Sequence, residues 1–461
     1  MIGKNKILIL GSLTFLTMLI LSVIFYKERT CFIDISFHLF YILKDGNFAI
    51  QNFRFGALIT QLFPLIGSKL GLPLTSIAIS YSMSFIILPF LTFLLVHLGL
   101  RNSKISLAYL LFVILMTTHT FYWIQSELPQ AFSFLFILLA LLDNATNSDK
   151  EPSPIFWFLI SILAYIACYT HPLIIFPFTF AILYYYLSYP QKRKMILSIG
   201  FIYFSFYIIK AIFFKTSYDT QAMDGVKNFI SLFPDYFNLQ SNKNLLKYFV
   251  YDYYFTILLM ITIVVFYIKM KMHKELFLIS AFFIGYCLLV NVSYPNGGDQ
   301  FYLENQYLVL SFIVALPFVS DVLPDFKSIK IQYIILFVIC VAGVLRIYNA
   351  HDFYSNRLEW FQNLISKTEI DENKKLIIPA NKVPKDMLLM TWGSSYEFWL
   401  LSTLEKGISR SIIIEELPGE FDWAIPANKS FISKWGTFEY TDLNTKYFVF
   451  TDTTQYIKFE K

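Results

Sequence analysis

The sequence predicts an all-α polytopic membrane protein of about eleven transmembrane helices, followed by a small C-terminal α/β domain outside the membrane. Three observations carry that prediction. The 461 residues are 56% hydrophobic and only 15% charged, whereas a soluble protein has roughly a quarter of its positions charged. The mean hydropathy is +0.56, which excludes a purely soluble enzyme. Apolar runs suited to a ~30 Å hydrocarbon core recur along residues 1–350, and beyond that point the chain turns more polar and β-rich.

The first run, Ile7 to Tyr26, follows the basic start Met1-Ile2-Gly3-Lys4-Asn5-Lys6. It has about the length of a span and lacks a small-residue cleavage site, so an uncleaved first helix is expected. Further runs lie near 75–100, 105–122, 128–143, 154–170, 172–189, 195–214, 253–270, 275–293, 303–320 and 329–348. Pro89, Pro177 and Pro317 fall inside runs, where neighbouring helices can satisfy the freed carbonyls.

Loop charge sets the orientation. One set of short loops carries Arg101 and Lys104, Lys150, Lys192-Arg193-Lys194, Lys269 to Lys274, and Lys327 with Lys330. The alternate loops near 118–125, 169–171 and 293–302 carry no Lys or Arg. The positive-inside rule then places the N-terminus in the cytoplasm and everything after about Asn349 outside the cytoplasmic membrane. The outer segment 27–73 reads as amphipathic surface helices, including Phe37–Leu43 and a stretch from Phe48 to Phe63. Lys215 to Tyr251 is polar with aromatic interruptions. Residues 351–461 form the outer domain, with short β runs at Leu376–Ile378, Ser411–Ile414 and Tyr447–Phe450. Helical patterns lie between them at Phe353–Lys367 and Ser395–Lys406, the second stopped by Gly407.

No basic stripe suggests a nucleic-acid partner; the net charge is only +5. The four cysteines lie far apart and form neither a disulfide framework nor a metal quartet. No internal repeat of fixed period is visible, which weakens transporter folds built on inverted repeats.

Asp34, His38, Glu127, His171, Lys210, Asp299 and Glu304 all fall at the outer ends of predicted spans. Charge inside the bilayer is expensive, so this one-sided collection marks a candidate site. Asp34 and His38 share a helix face if 33–43 is helical. Asp34 reads either as an N-cap or as a carboxylate at a site mouth, where its apolar neighbours raise its basicity. Glu127 is either a helix-dipole partner or a ligand group. His171, in Tyr169-Thr170-His171-Pro172, is either a turn residue or a binding residue. Glu304 enters the membrane in apolar company and calls for a cation or a sugar hydroxyl, unless it faces water at the interface. Arg54, Lys210 and Lys215 either snorkel to headgroups or hold a phosphate.

A first helix, a long outer loop with an early acidic residue, surface helices, many spans and an outer soluble tail together resemble the GT-C class of integral membrane glycosyltransferases. The layout is most similar to the family 39-related branch of protein mannosyltransferases and lipid A aminoarabinose transferases, and it covers about residues 1–350. The resemblance implies that Asp34 is the catalytic base and that Glu127 matches an acidic residue of the second outer loop. The class frequently carries two adjacent acidic residues in the first loop, where Ile33-Asp34-Ile35 has one. No cofactor is thereby assigned, and a divalent cation stays open. The expected partners are membrane lipids, a polyprenyl-phosphate-linked sugar donor and a protein, glycan or lipid acceptor. His38, Arg54, Glu127, His171, Lys210, Lys215, Asp299 and Glu304 are the candidate substrate-binding residues around Asp34. The competing expectations are a lipid-linked glycan flippase or other transporter, and a non-catalytic membrane scaffold.

Overall fold

A computed structural model describes residues 3–124, 127–214, 216–218, 224–370 and 375–459. The chain is mostly helical, with a small C-terminal sheet region, as expected of a multi-pass membrane protein. The long helices of the first part are α1 (Lys4–Ile24), α5 (Leu74–Leu94), α6 (Ser103–Leu115), α7 (Glu127–Thr146), α8 (Pro154–Thr170), α9 (Ile175–Ser188) and α10 (Arg193–Phe213). Between α1 and α5 lie α2 (Tyr26–Thr30), α3 (Ile33–Asp45) and α4 (Leu58–Lys69). After α10 come the short α11 (Asn228–Ser231), then α12 (Gln240–Tyr251), α13 (Tyr254–Lys269), α14 (His273–Ser293), α15 (Gln300–Pro317) and α16 (Ile329–Asn349). Large apolar side chains line the outside of the bundle, as with Ile9, Leu13, Leu16 and Ile20 on α1. That is the face a lipid-exposed helix presents.

All eleven predicted runs are helical, but length supports fewer spans. Among the described residues seven helices are long and apolar enough to cross a membrane, and the bent pair α12 and α13 makes an eighth if it is one span. The helices over 103–115, 154–170 and 172–188 are shorter. For the first of these the cause is local. The predicted span to residue 122 stops at Leu115 because Glu304, fully buried on α15, gathers the next loop around its carboxylate. It accepts the backbone N–H groups of Thr118, His119 and Thr120 at 2.7, 3.0 and 2.8 Å. The hydroxyls of Thr120 and Tyr253 donate to it at 2.7 and 2.6 Å.

The segment 27–73 differs from the expected one or two amphipathic surface helices. α3 is buried almost all round. Its Phe40 ring sits against Tyr396, Trp399, Phe431 and Phe448 of the tail, with centroids 5.0–5.2 Å apart. The apolar face that suggested a membrane surface is covered by the tail instead. Residues 48–54 are not helical, and only α4 exposes an apolar stripe, through Leu62 and Ile66.

The tail contains α17 (His351–Ile370), α18 (Lys385–Leu388) and α19 (Ser394–Lys406). Its strands are β1 (Lys375–Pro379), β2 (Ser411–Glu415), β3 (Ser430–Ser433), β4 (Gly436–Glu439) and β5 (Ile457–Lys458). β1 is the centre of a parallel sheet of order β2-β1-β5, with Ile377 opposite Ile413, and β3 and β4 form a hairpin. α19 is the crossover between β1 and β2 and ends at Gly407, whose φ of +68° is the left-handed cap that glycine favours. The predicted strand Tyr447–Phe450 does not form. The Val449 N–H and C=O bond to the Ser409 Oγ and N–H at 2.8 and 2.9 Å, and Phe448 stacks on Trp399.

Removing the Glu304 carboxylate leaves the buried N–H groups of Thr118 and Thr120 unpaired, each costing about 1–3 kcal/mol, and the half-buried one of His119 as well. Glu304→Ala is therefore expected to lower the thermal unfolding temperature in detergent sharply, and Glu304→Gln, which keeps one acceptor oxygen, to lower it less. Equal melting of both variants and the parent contradicts the clamp.

Candidate active site at the Asp34 end of the bundle

α3 begins abruptly. Phe32 is its N-cap without any side-chain cap bond, and Ile33 has a φ of +26°, a strained value for a β-branched residue. Asp34 thus lies in the first turn rather than at the cap. The tail holds this turn from the other side. The Ile33 N–H donates to Glu397 Oε1 at 2.9 Å, and Arg357 donates to the same oxygen at 2.6 Å. Gly393, just before α19, allows this close approach, since a Cβ there would stand 3.0 Å from the Ile33 Cα.

The Asp34 carboxylate faces the bundle, and Trp123 Nε1–H donates to its Oδ2 at 2.8 Å. Burial pushes its pKa up to about 6. The Trp123 hydrogen bond pulls the other way, Glu127 and Glu397 add to the rise, and Arg54 opposes it. Trp123 also meets Tyr302 and Phe301, with ring centroids 5.6 and 5.0 Å away.

Arg54 and Glu127 are brought together, Nη1 to Oε2 at 2.8 Å, with each side chain nearly buried. Arg54 does not lie on a surface helix. It precedes the short turn Phe55–Ala57, which sits close against α8 because Gly56 has no side chain; a Cβ would overlap the Thr170 hydroxyl at 2.0 Å. The Tyr218 ring covers the Arg54 guanidinium, 5.1 Å from its centroid. Lys210 Nζ donates to the Cys168 carbonyl at 3.0 Å and lies 5.4 Å from the centroid of the Tyr169 ring. His171 is buried close to Arg54 and Lys210, and desolvation first, then those two cations, push its pKa well below the ordinary value. Its Nδ1 accepts the Leu173 N–H at 3.2 Å, which puts the imidazole proton on Nε2.

The other candidates stand apart from Asp34. His38 is one turn along α3, but its Nδ1 donates to the Ala49 carbonyl at 2.9 Å, and burial lowers its pKa. The expected sharing of a proton between His38 and Asp34 is thus replaced by a loop contact. Glu304 is the loop clamp described above. Asp299 is exposed at the start of α15, where burial and Asp386 of the tail raise its pKa. Lys215 lies outside the described residues. The divalent cation left open by the sequence finds no cluster of three or more His, Cys, Asp or Glu among the described residues.

One α-helical turn along α7 from Glu127, Gln130 borders a cavity of about 70 Å³. Its polar end holds Arg29, Thr120 and Gln130, and its apolar side includes Leu88 and Pro89 of α5, which are partly exposed on the outside of the bundle. Trp123, Tyr218, Tyr302 and Glu397 are site neighbours that the sequence reading did not single out. Tyr302 lies between the candidates Asp299 and Glu304 in the sequence.

The fold and site thus define a polytopic helical membrane protein whose C-terminal tail packs against the first turn of α3, which carries the half-buried Asp34 at one end of the bundle. No protein family, characterised protein or solved structure matches the chain.

Asp34 is expected to titrate near pH 6 in infrared difference spectra, as a carboxyl band missing from Asp34→Asn. Trp123→Phe removes a bond that favours the ionised form, so the same band is expected to titrate higher. A midpoint near 4 in the parent contradicts the burial argument.

Proposed function

We propose that the chain is a membrane glycosyltransferase that moves a sugar from a polyprenyl-phosphate donor to an acceptor at the outer face of the membrane, with Asp34 as general base. The observation that carries this reading is the Asp34 carboxylate, with a pKa pushed up to about 6, beside the Arg54–Glu127 pair. A base with that affinity is mostly ionised at neutral pH, yet it takes a proton more readily than an ordinary carboxylate.

In this reading Asp34 accepts the proton of the acceptor hydroxyl as its oxygen attacks the anomeric carbon. The bond from that carbon to the carrier phosphate oxygen breaks, and the phosphate leaves with the bonding electrons. Arg54 and Lys210 supply positive charge for it. Neutral His171, with a proton on Nε2, can donate to a sugar hydroxyl or phosphate oxygen, and Tyr218, Tyr302 and Trp123 offer faces for the sugar. Asp299 and Asp386 flank the outer side, where a polar acceptor approaches. The orientation required, with the tail outside, follows the positive-inside bias of the loops.

Purified protein in vesicles is tested with a panel of polyprenyl-phosphate-linked sugars, and lipid and glycan mass spectrometry on a deletion strain identifies the donor and acceptor. Asp34→Asn is expected to lose ~10²–10⁴-fold in turnover while still binding donor. Turnover by the parent is expected to rise with pH through about 6, because protonated Asp34 cannot act as a base. Near-normal transfer by Asp34→Asn contradicts the assignment, as does a C-terminal reporter located in the cytoplasm.

A further inference from the structure

α12 and α13 meet at an angle of 91°, so where α13 crosses the bilayer α12 runs along its plane. Residues 224–251 join the bundle at the Asp34 end and are fixed to it. Asn228 Nδ2 donates to the Val292 carbonyl at 3.1 Å, and Ser241 Oγ to the Asn291 carbonyl at 2.8 Å. On α12, Leu245 and Phe249 face inward, and the Phe249 ring stacks on Phe283. The opposite stripe, Lys243, Leu246, Lys247 and Val250, follows the i, i+3, i+4, i+7 spacing of one helix face and is exposed.

The preceding turns carry the same character. Ile230, Phe233 and Phe237 are 87, 73 and 79% exposed, and Leu246 and Val250 are 66 and 67% exposed. Large side chains left so bare by a segment tied to its own bundle call for an apolar surrounding. The surface continues into the exposed stripe Leu258, Ile261 and Val265 of α13, which faces hydrocarbon if that helix spans. Lys243 and Lys247, between the apolar positions of α12, suit side chains that reach from the acyl boundary to headgroup phosphates.

We propose that residues 224–251 form a wedge inserted in the membrane leaflet on the Asp34 side, with Ile230, Phe233, Phe237, Leu246 and Val250 at the acyl boundary and Lys243 and Lys247 at the phosphates. The partner is a lipid surface. The wedge is independent of the reaction proposed above, and its test reads no activity.

The test uses full-length protein, one copy per nanodisc of phosphatidylethanolamine and phosphatidylglycerol. Spin labels are placed by Phe233→Cys and Val250→Cys. Cys31, Cys168 and Cys340 are buried, and Cys287 is replaced by serine in every sample. Relaxation by oxygen, which concentrates in lipid, is compared with relaxation by a water-soluble nickel chelate. The expected oxygen-to-nickel ratio matches that of Leu258→Cys on α13 and is several-fold above that of Trp435→Cys on the tail. Should Phe233→Cys fail to accumulate, Leu246→Cys on the α12 stripe reads the same quantity. Ratios equal to the tail label overturn the proposal in favour of a water-exposed segment. Labels shielded from both reagents overturn it in favour of a protein contact.

Discussion

Glu397 and Arg357 form an ion pair with side chains 1 and 2% exposed, and the position of Asp34 depends on it. Glu397 Oε1 receives both the Arg357 guanidinium and the Ile33 N–H. Arg357 also donates to the carbonyls of Cys31 and Leu388, each at 3.3 Å, and lies over the Phe32 and Phe361 rings. A single guanidinium therefore ties α17, α18, α19 and the start of α3 together. A buried pair adds little net stability over an apolar replacement, but losing one partner costs about 3–5 kcal/mol because the other is left charged and dry. Such a contact fixes geometry, and the geometry here is the strained turn that aims Asp34 at Trp123.

Around Asp34 the charges balance locally. Arg54 answers Glu127, His171 is kept neutral by burial and by two neighbouring cations, and Lys210 is held by a carbonyl. Asp34 receives one indole hydrogen bond and no cation within ion-pair distance among the described residues, so desolvation governs it. At the opposite end of the bundle the buried carboxylates are bonded differently. Asp143 takes Asn102, Lys104 and Tyr185, and Asp321 takes the hydroxyls of Tyr184 and Tyr267. Those groups stitch helices, whereas Asp34 is bonded by a single indole N–H.

Apolar run length made the helices legible, because it is a local property of the chain. Span count was less legible, since α6 is cut short by Glu304, which lies 186 residues from Thr118. α3 read as a membrane-surface helix because its apolar faces are visible in sequence while the tail that covers them is not. Tyr447–Phe450 read as a strand because alternating aromatics suit a sheet, yet its rings fill the space beside Trp399 and Tyr440. Asp34, Arg54, Glu127, His171 and Lys210 were found as polar residues in apolar settings. Trp123 and Glu397, 89 and 364 residues from their partners in α3, emerge only when the chain is folded.

The central claim is that the C-terminal tail holds the helix that carries Asp34. Hydrogen–deuterium exchange of full-length protein in nanodiscs tests it most directly, by comparing peptides over residues 33–38 in the parent and in Glu397→Ala. The account predicts faster exchange at these residues in the variant, with α1 and α5 as protected as in the parent. Unchanged exchange across residues 33–38 in a folded Glu397→Ala protein would contradict it.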